Sequence, residues 1–150
     1  MKDMETLSVA IACDHAGYEM KEELKRVFES RLFSLKDFGT YSTDSMDYPD
    51  TIHPMASAIN KGQFDFGIAI CGTGNGVSMT ANKYPNVRAA LCWKDEIAKL
   101  ARQHNDANIL SMPARFISQA EAEQMLETFL TTDFEGGRHI QRVDKISKLQ

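Results

Sequence analysis

The sequence has few of the features that mark exported, membrane-spanning or metal-binding proteins. It has three cysteines in 150 residues and no C-x-x-C pair, which argues against a disulfide framework and a structural zinc site. No apolar run approaches the ~20 residues needed to cross a bilayer. The opening Met-Lys-Asp-Met-Glu-Thr is too acidic for a secretory signal. We therefore expect a cytoplasmic protein with reduced thiols that binds no membrane.

A basic surface is also missing. The formal net charge is -4, and the lysines and arginines are scattered except near the C-terminus. This pattern gives no electrostatic footprint for nucleic acid, so an anionic ligand must be held by local groups. The length and apolar content fit a single domain, residues 1–150, that buries its own core.

What is present is an alternation of strands and helices. Residues 7–13 read as a buried strand, and residues 16–31 carry apolar side chains at helical spacing. Further strands are expected near residues 32–36, 66–70, 87–91 and 108–110. A helix of about a dozen residues should end near residue 62, and another helix is expected at 95–103. Strands separated by helices pair in parallel. We expect an α/β fold, a doubly wound Rossmann-like domain with a five-stranded parallel sheet.

The C-terminal third contains the clearest helix signal. Ser118 and Glu121 form a capping box, in which each side chain bonds a backbone N–H of the first turn. One apolar stripe follows, made of Ala122, Met125, Leu126, Phe129 and Leu130. The segment after Gly136-Gly137 is expected to form a C-terminal helix.

Residues 71–76, Cys-Gly-Thr-Gly-Asn-Gly, directly follow a buried strand. Three alternating glycines in a strand-to-helix turn let successive N–H groups face one concavity, which makes an anion site. The same dipoles would stabilise a thiolate at Cys71, making it a base or nucleophile. The plainer interpretation is a sharp turn beside a buried thiol, as expected for Cys13 and Cys92. Val77 occupies the position of the third glycine of a dinucleotide fingerprint, so nucleotide binding is weakly supported.

Polar residues at the ends of other elements are further candidates. Asp14 and His15 follow the first strand and could bind hydroxyls or relay protons, or could be a helix cap and a solvated imidazole. His104 could titrate near neutral pH, or simply complement a helix dipole. Neither these nor the other histidines show a spacing that suggests a metal site.

Arginines supply the candidate phosphate ligands. Arg115, Arg138 and Arg142 could form a clamp, because guanidinium groups match phosphate oxygens, although any one could be a surface charge. Arg138 and Arg142 lie one helical turn apart.

Six short motifs in one order resemble the type B ribose-5-phosphate isomerases, in the sugar-phosphate isomerase family that includes galactose-6-phosphate isomerases. The motifs are residues 13–17 (Cys-Asp-His-Ala-Gly), 47–49 (Asp-Tyr-Pro), 71–76, 81–83 (Ala-Asn-Lys), 102–106 (Arg-Gln-His-Asn-Asp) and 135–142 (Glu-Gly-Gly-Arg-His-Ile-Gln-Arg). The resemblance spans nearly the whole chain.

The resemblance implies a metal-free and cofactor-free isomerase of ribose 5-phosphate and ribulose 5-phosphate in the non-oxidative pentose phosphate pathway. It assigns proton transfer to Cys71, enediolate binding to Thr73 and the loop amides, and ring opening to His104, with Asp14 or His15 assisting. The remaining substrate-binding residues would be His15, Tyr48, Gly72, Gly74, Asn75, Gly76, Asn105, Arg115, Arg138 and Arg142. It also implies a homodimer or tetramer with active sites at the dimer interface.

The sequence departs from the family at two points. Where another branch uses a glutamate after the glycine loop, this chain has residues 77–79, Val-Ser-Met, so the thiol would serve as base. Residues 111–115, Ser-Met-Pro-Ala-Arg, lack the expected glycine before Arg115. An allose or galactose 6-phosphate isomerase and a non-catalytic phosphometabolite-binding module are the alternative functions.

Overall fold

A five-stranded parallel sheet forms the centre of the molecule. The structure is a computed structural model that describes residues 3–149. Its strands are β1 (Ser8–Cys13), β2 (Ser34–Asp37), β3 (Phe66–Cys71), β4 (Ala89–Leu91) and β5 (Ile109–Pro113). They pair in the order β2-β1-β3-β5-β4, every pair parallel. The expected Rossmann-like α/β architecture is confirmed.

Helices cover both faces of this sheet. They are α1 (Tyr18–Phe28), α2 (Pro49–Asn60), α3 (Asn75–Ala81), α4 (Asp95–Asn105), α5 (Gln119–Thr131) and α6 (Arg138–Ile146). One buried apolar cluster joins α1, α4 and α5 to one face, and a second joins α2 and α3 to the other. β1 and β3 are buried on both sides, which explains why their sequences read as continuous apolar runs.

The predicted helix at residues 16–31 is shorter in the structure. α1 lies between two short 3₁₀ turns, His15–Gly17 and Glu29–Arg31. At Gly17 the backbone packs directly on β3, because a Cβ there would lie 2.7 Å from the Ile70 side chain. The tight approach is made by a 3₁₀ turn before the regular helix begins.

The boundaries of other elements differ by a few residues from those predicted from the sequence. β2 begins and ends later than predicted, β4 is shorter, and β5 extends to Pro113 while α4 extends to Asn105. β5 lengthens because it is an inner strand, with β3 and β4 paired to its two sides. The capping box of α5 is confirmed, and its apolar stripe is buried.

α6 differs from the other helices in what it buries. His139 is its buried residue, whereas Ile140 and Ile146 are 50% and 57% exposed. Together with Val143 they follow a spacing of three residues, so they share one face. The helix therefore presents an apolar stripe to the outside of the chain. No helix within residues 3–149 is long and apolar enough to span a membrane.

Candidate active site

The glycine loop connects β3 to α3 at the carboxyl edge of the sheet. Cys71 is the last residue of β3 and is 5% exposed. Its Sγ accepts a hydrogen bond from the Gly74 N–H at 3.2 Å. Gly74 is the N-cap of α3 and has φ +75°, a conformation that favours glycine. The thiol thus lies at a helix N-terminus, where N–H groups and the helix dipole favour negative charge.

The rest of the loop is held by its own short hydrogen bonds. The Thr73 hydroxyl oxygen accepts from the Asn75 N–H at 3.3 Å, and the Ser78 hydroxyl donates to the Gly74 carbonyl at 2.7 Å. The first N–H groups of an α-helix have no carbonyl partner within the helix. Apart from the Asn75 N–H, which already bonds Thr73, those of the first turn of α3 are therefore available to an anion beside Cys71.

Two side chains occupy the space that the glycines leave open. The ring of Tyr48 lies where a Cβ of Gly76 would be, so the two are in direct contact. The Arg115 guanidinium lies 3.2 Å from the position that a Cβ of Gly72 would take. The Arg115 N–H also donates to the Gly72 carbonyl at 3.1 Å. Tyr48 and Arg115, which are far apart in sequence, therefore border the loop, while the substrate-binding roles that the resemblance implies for them stay predictions.

Asp14 and His15 lie on the neighbouring strand end. One oxygen of the Asp14 carboxylate accepts from the N–H groups of Ala16 and Gly17, at 2.9 and 3.1 Å. This is the capping role that the sequence left open, and it makes Asp14 a structural support for the turn. His15 Nδ1 accepts from the Met46 N–H at 3.2 Å, which leaves Nε2 to carry the proton of the neutral ring.

The other two cysteines provide an internal comparison with Cys71. Cys13 and Cys92 are fully buried, and burial raises the pKa of each thiol to about 12. Both remain protonated at neutral pH and act as small apolar residues, as the sequence suggested.

A second group of predicted residues lies where α4 ends and α6 begins. His104 is in the last turn of α4, and its ring stacks on that of His139 with centroids 4.4 Å apart. His104 Nε2 lies 3.3 Å from a carboxylate oxygen of Glu135. Arg138 and Arg142 are on α6. Burial, followed by the charges of His104 and the two arginines, holds the pKa of His139 below its usual 6.5.

The residues around Cys71 and the residues around His104 lie at opposite edges of the sheet, the first at the carboxyl ends of the strands and the second at their amino ends. α4 leaves β4 at the carboxyl edge, and its eleven residues run back about 16 Å to the amino end of β5. Cys71 lies at the carboxyl end of β3, opposite Pro113 in the register. One chain therefore does not bring His104, Asn105, Arg138 and Arg142 to the glycine loop.

His104, Glu135 and His139 also have the donor types of a metal site. Their ligand atoms lie within 4.8 Å of one another. Within residues 3–149, these three residues are the group that could hold a metal ion. The positive charges of Arg138 and Arg142, which act on His139, disfavour a divalent cation there. The surroundings suit an anion better than a metal. Glu135 had no role in the sequence predictions, although it begins the last of the six motifs.

Comparison with known proteins settles the family. Residues 9–146 match the family described as Ribose/Galactose Isomerase. The chain belongs to this family. The ribose-5-phosphate isomerase B of Escherichia coli (strain K12) is 39% identical over 142 residues, covering 95% of both chains. The resemblance that the six motifs indicated is thereby confirmed.

Solved structures from the ribose/galactose isomerase family share the fold. The ribose-5-phosphate isomerase B of Thermotoga maritima superposes with a TM-score of 0.92 at 45% identity, covering 95% of this chain and 99% of that one. The enzyme from Mycoplasma genitalium with bound ribulose-5-phosphate has a TM-score of 0.89 at 41% identity, covering 93% of each chain.

Proposed function

We propose that this chain interconverts ribose 5-phosphate and ribulose 5-phosphate through a cis-enediolate. The observation that carries the proposal is Cys71, buried at the N-terminus of α3 with the Gly74 N–H donating to its Sγ at 3.2 Å. The substrate class comes from the family and from relatives named ribose-5-phosphate isomerase B.

The first chemical step opens the furanose ring. One imidazole can take the proton of the O1 hydroxyl as the C1–O4 bond breaks, and can then deliver that proton to O4. The product is the open aldehyde, with no net change in protons. We assign this shuttle to His104, because a neutral imidazole can both accept and donate near neutral pH.

The second step moves a proton between C2 and C1. The Cys71 thiolate removes the proton from C2, and the electron pair moves toward the C1 oxygen to give the enediolate. The O2 proton passes to the C1 oxygen, and reprotonation at C1 by the Cys71 thiol then gives the ketose, with its hydroxyl on C1 and its carbonyl on C2. N–H groups of the glycine loop, with Thr73, stabilise the intermediate, and loss of one such donor typically costs about a hundredfold or more in rate.

We infer that each active site is built from two copies of the chain in a homodimer. Ring opening and proton transfer act on adjacent carbons of one substrate, yet His104 and Cys71 lie at opposite edges of one sheet. A two-fold axis would place the α4–α6 end of one copy at the glycine loop of the other. The exposed apolar stripe of α6 supports such a contact.

The same arrangement would bring two arginine groups to one phosphate. Arg115 lies beside the glycine loop of one copy, and Arg138 and Arg142 would come from the other. Because the proposed base is a free thiol, we place the reaction in the reducing environment of the cytoplasm.

A coupled assay of ketose formation from ribose 5-phosphate tests the activity. Cys71→Ala should lower turnover by about a thousandfold or more, whereas Cys92→Ala, which removes a fully buried thiol from the core cluster on the other face of the sheet, should keep most of it. In deuterated water the wild type should incorporate label at the transferred carbon. Equal labelling by Cys71→Ala would remove Cys71 as the base, and faster turnover of allose or galactose 6-phosphate would change the substrate.

A further inference from the structure

Glu135 carries a carboxylate next to His104. The steps proposed above give this carboxylate no role. Its Oε1 lies 3.3 Å from His104 Nε2, and the two side chains are 49% and 39% exposed. A carboxylate can only accept a hydrogen bond, so its approach at this distance favours a ring proton on Nε2. The neutral imidazole then keeps Nδ1 as its acceptor.

Glu135 is held at this position by the backbone. Its N–H donates to the Gln103 carbonyl at 3.0 Å, which ties the segment before α6 to the last turn of α4. Gly136 and Gly137 follow with φ +68° and +55°, and they turn the chain into α6. The carboxylate therefore approaches His104 from a fixed segment.

His139 restricts the same ring from another direction. The two imidazoles stack at 4.4 Å with an angle of 15° between their planes. Stacking sets the plane of the His104 ring, while the nearby Glu135 carboxylate favours the orientation that turns Nε2 toward it. Together the two contacts favour one orientation and one tautomer of the ring.

We propose that Glu135 is a positioning residue that fixes the Nε2-protonated tautomer of His104 and directs Nδ1 to the O1 hydroxyl of the sugar. This rests on the proposed function, in which His104 opens the ring. Nδ1 takes the O1 proton as the C1–O4 bond breaks and then returns it to O4. With the other tautomer in the same orientation, Nδ1 would already carry a proton and could not begin this sequence.

The test compares Glu135→Ala with Glu127→Ala. Glu127 is a matched control, since it is also 49% exposed and pairs with one basic side chain, Arg31 at 3.1 Å. Loss of a whole acid-base group costs about 100-fold to 10,000-fold. We expect Glu135→Ala to lower kcat on ribose 5-phosphate about tenfold with little change in KM, and Glu127→Ala to leave both unchanged.

A double-mutant cycle with His104→Asn separates positioning from general structural support. If Glu135 acts through His104, adding Glu135→Ala to His104→Asn should change kcat less than about twofold. A further tenfold loss in that background would overturn the proposal, as would a rise in KM with unchanged kcat.

A direct reading of the tautomer does not depend on catalysis. In protein labelled with ¹⁵N-histidine, His104 should show protonated Nε2 in the wild type and in Glu127→Ala, and a mixture of tautomers in Glu135→Ala. A wild-type ring protonated on Nδ1, or an unchanged spectrum in Glu135→Ala, would overturn the proposal. If the wild type failed to isomerise ribose 5-phosphate, the proposed function would be wrong. The spectrum would still show whether Glu135 sets the tautomer of His104.

Discussion

The two halves of the candidate site are built in different ways. The glycine-loop half consists mainly of backbone groups, with a buried thiol at a helix N-terminus and Tyr48 packed on Gly76. The His104 half consists of side chains on the ends of α4 and α6, arranged around one stacked pair in which His104 is partly exposed and His139 is buried. The first half stabilises negative charge through fixed dipoles, and the second supplies groups that can gain or lose protons.

This difference separates the two tasks of the proposed reaction. Enediolate formation needs donors that do not reorganise, which backbone N–H groups at a helix start provide. Ring opening needs a group that changes protonation near neutral pH and lies within hydrogen-bond reach of the sugar, such as an imidazole. In the proposed homodimer the two halves would meet only when two copies assemble, so one chain can hold them apart.

The largest expected effect comes from mixing two inactive variants. Cys71→Ala and His104→Asn should each be nearly inactive alone. If each site takes Cys71 from one copy and His104 from the other, a mixed dimer has one site with both residues intact. Random reassembly of an equal mixture should then recover about a quarter of wild-type activity.

The measurement is the coupled assay after the two purified variants are unfolded and refolded together. Refolding each variant alone is the control for activity regained by refolding. No recovery in the mixture, with mixed dimers demonstrated by mass spectrometry, would place Cys71 and His104 in the same chain's site.

A smaller effect is expected from Gly76→Ala in the rigid half. The added methyl group would occupy the place of the Tyr48 ring, so Tyr48 should swing away from the loop. We expect kcat/KM to fall roughly tenfold to a hundredfold, as when a group that positions substrate is lost. Thermal stability should fall little, because alanine is more favourable than glycine within a helix by about 0.5–1 kcal/mol.

Tyr48→Ala provides the control for this prediction. If the methyl group acts by displacing Tyr48, the double variant Gly76→Ala and Tyr48→Ala should be no less active than Tyr48→Ala alone. Additive losses would show that Gly76 contributes through the loop backbone instead.

The smallest effect concerns protonation in the side-chain half. Burial and the charges of His104, Arg138 and Arg142 lower the pKa of His139, and Glu135 opposes them in part. A titration followed by NMR should therefore have its midpoint below 6.5, with neutral His139 at pH 7. Because the folded-state pKa is depressed, this contribution to stability is present above pH 6.5 and is lost as the pH falls through the midpoint.

Arg138→Ala should move that midpoint upward, and Arg26→Ala, an exposed arginine on α1, should leave it unchanged. Saturating phosphate should also raise it by neutralising the arginines. A midpoint at or above 6.5 in the free protein would contradict the electrostatic description of this half.

The features that could be predicted from the sequence are those encoded by neighbouring residues. The capping box at Ser118, the buried runs of β1 and β3 and the glycine loop each depend on a short segment. Tyr48 and Arg115 could be assigned to the site only from the family resemblance. Their contacts with Gly76 and Gly72 join segments that are far apart in the chain, so no local pattern predicts them.

Other features could not be read from local patterns. The sequence left Asp14 open between a ligand and a cap, and its hydrogen bonds to Ala16 and Gly17 depend on how closely Gly17 packs on β3. The pairing of His104 with Glu135 depends on where α6 returns to α4, which periodicity does not specify. The position of β5 inside the sheet likewise depends on the crossovers rather than on its own five residues.

All three thiols are buried, and the raised pKa values of two of them have a consequence for chemical labelling and inhibitor design. At neutral pH, Cys13 and Cys92 are shielded from solvent and protonated, because their pKa values are raised to about 12. Electrophiles react with thiolates, so neither competes for a reagent in the folded protein. If Cys71 is the base, as proposed, a sugar phosphate analogue carrying a mild electrophile should modify one sulfur per chain, at the end of β3.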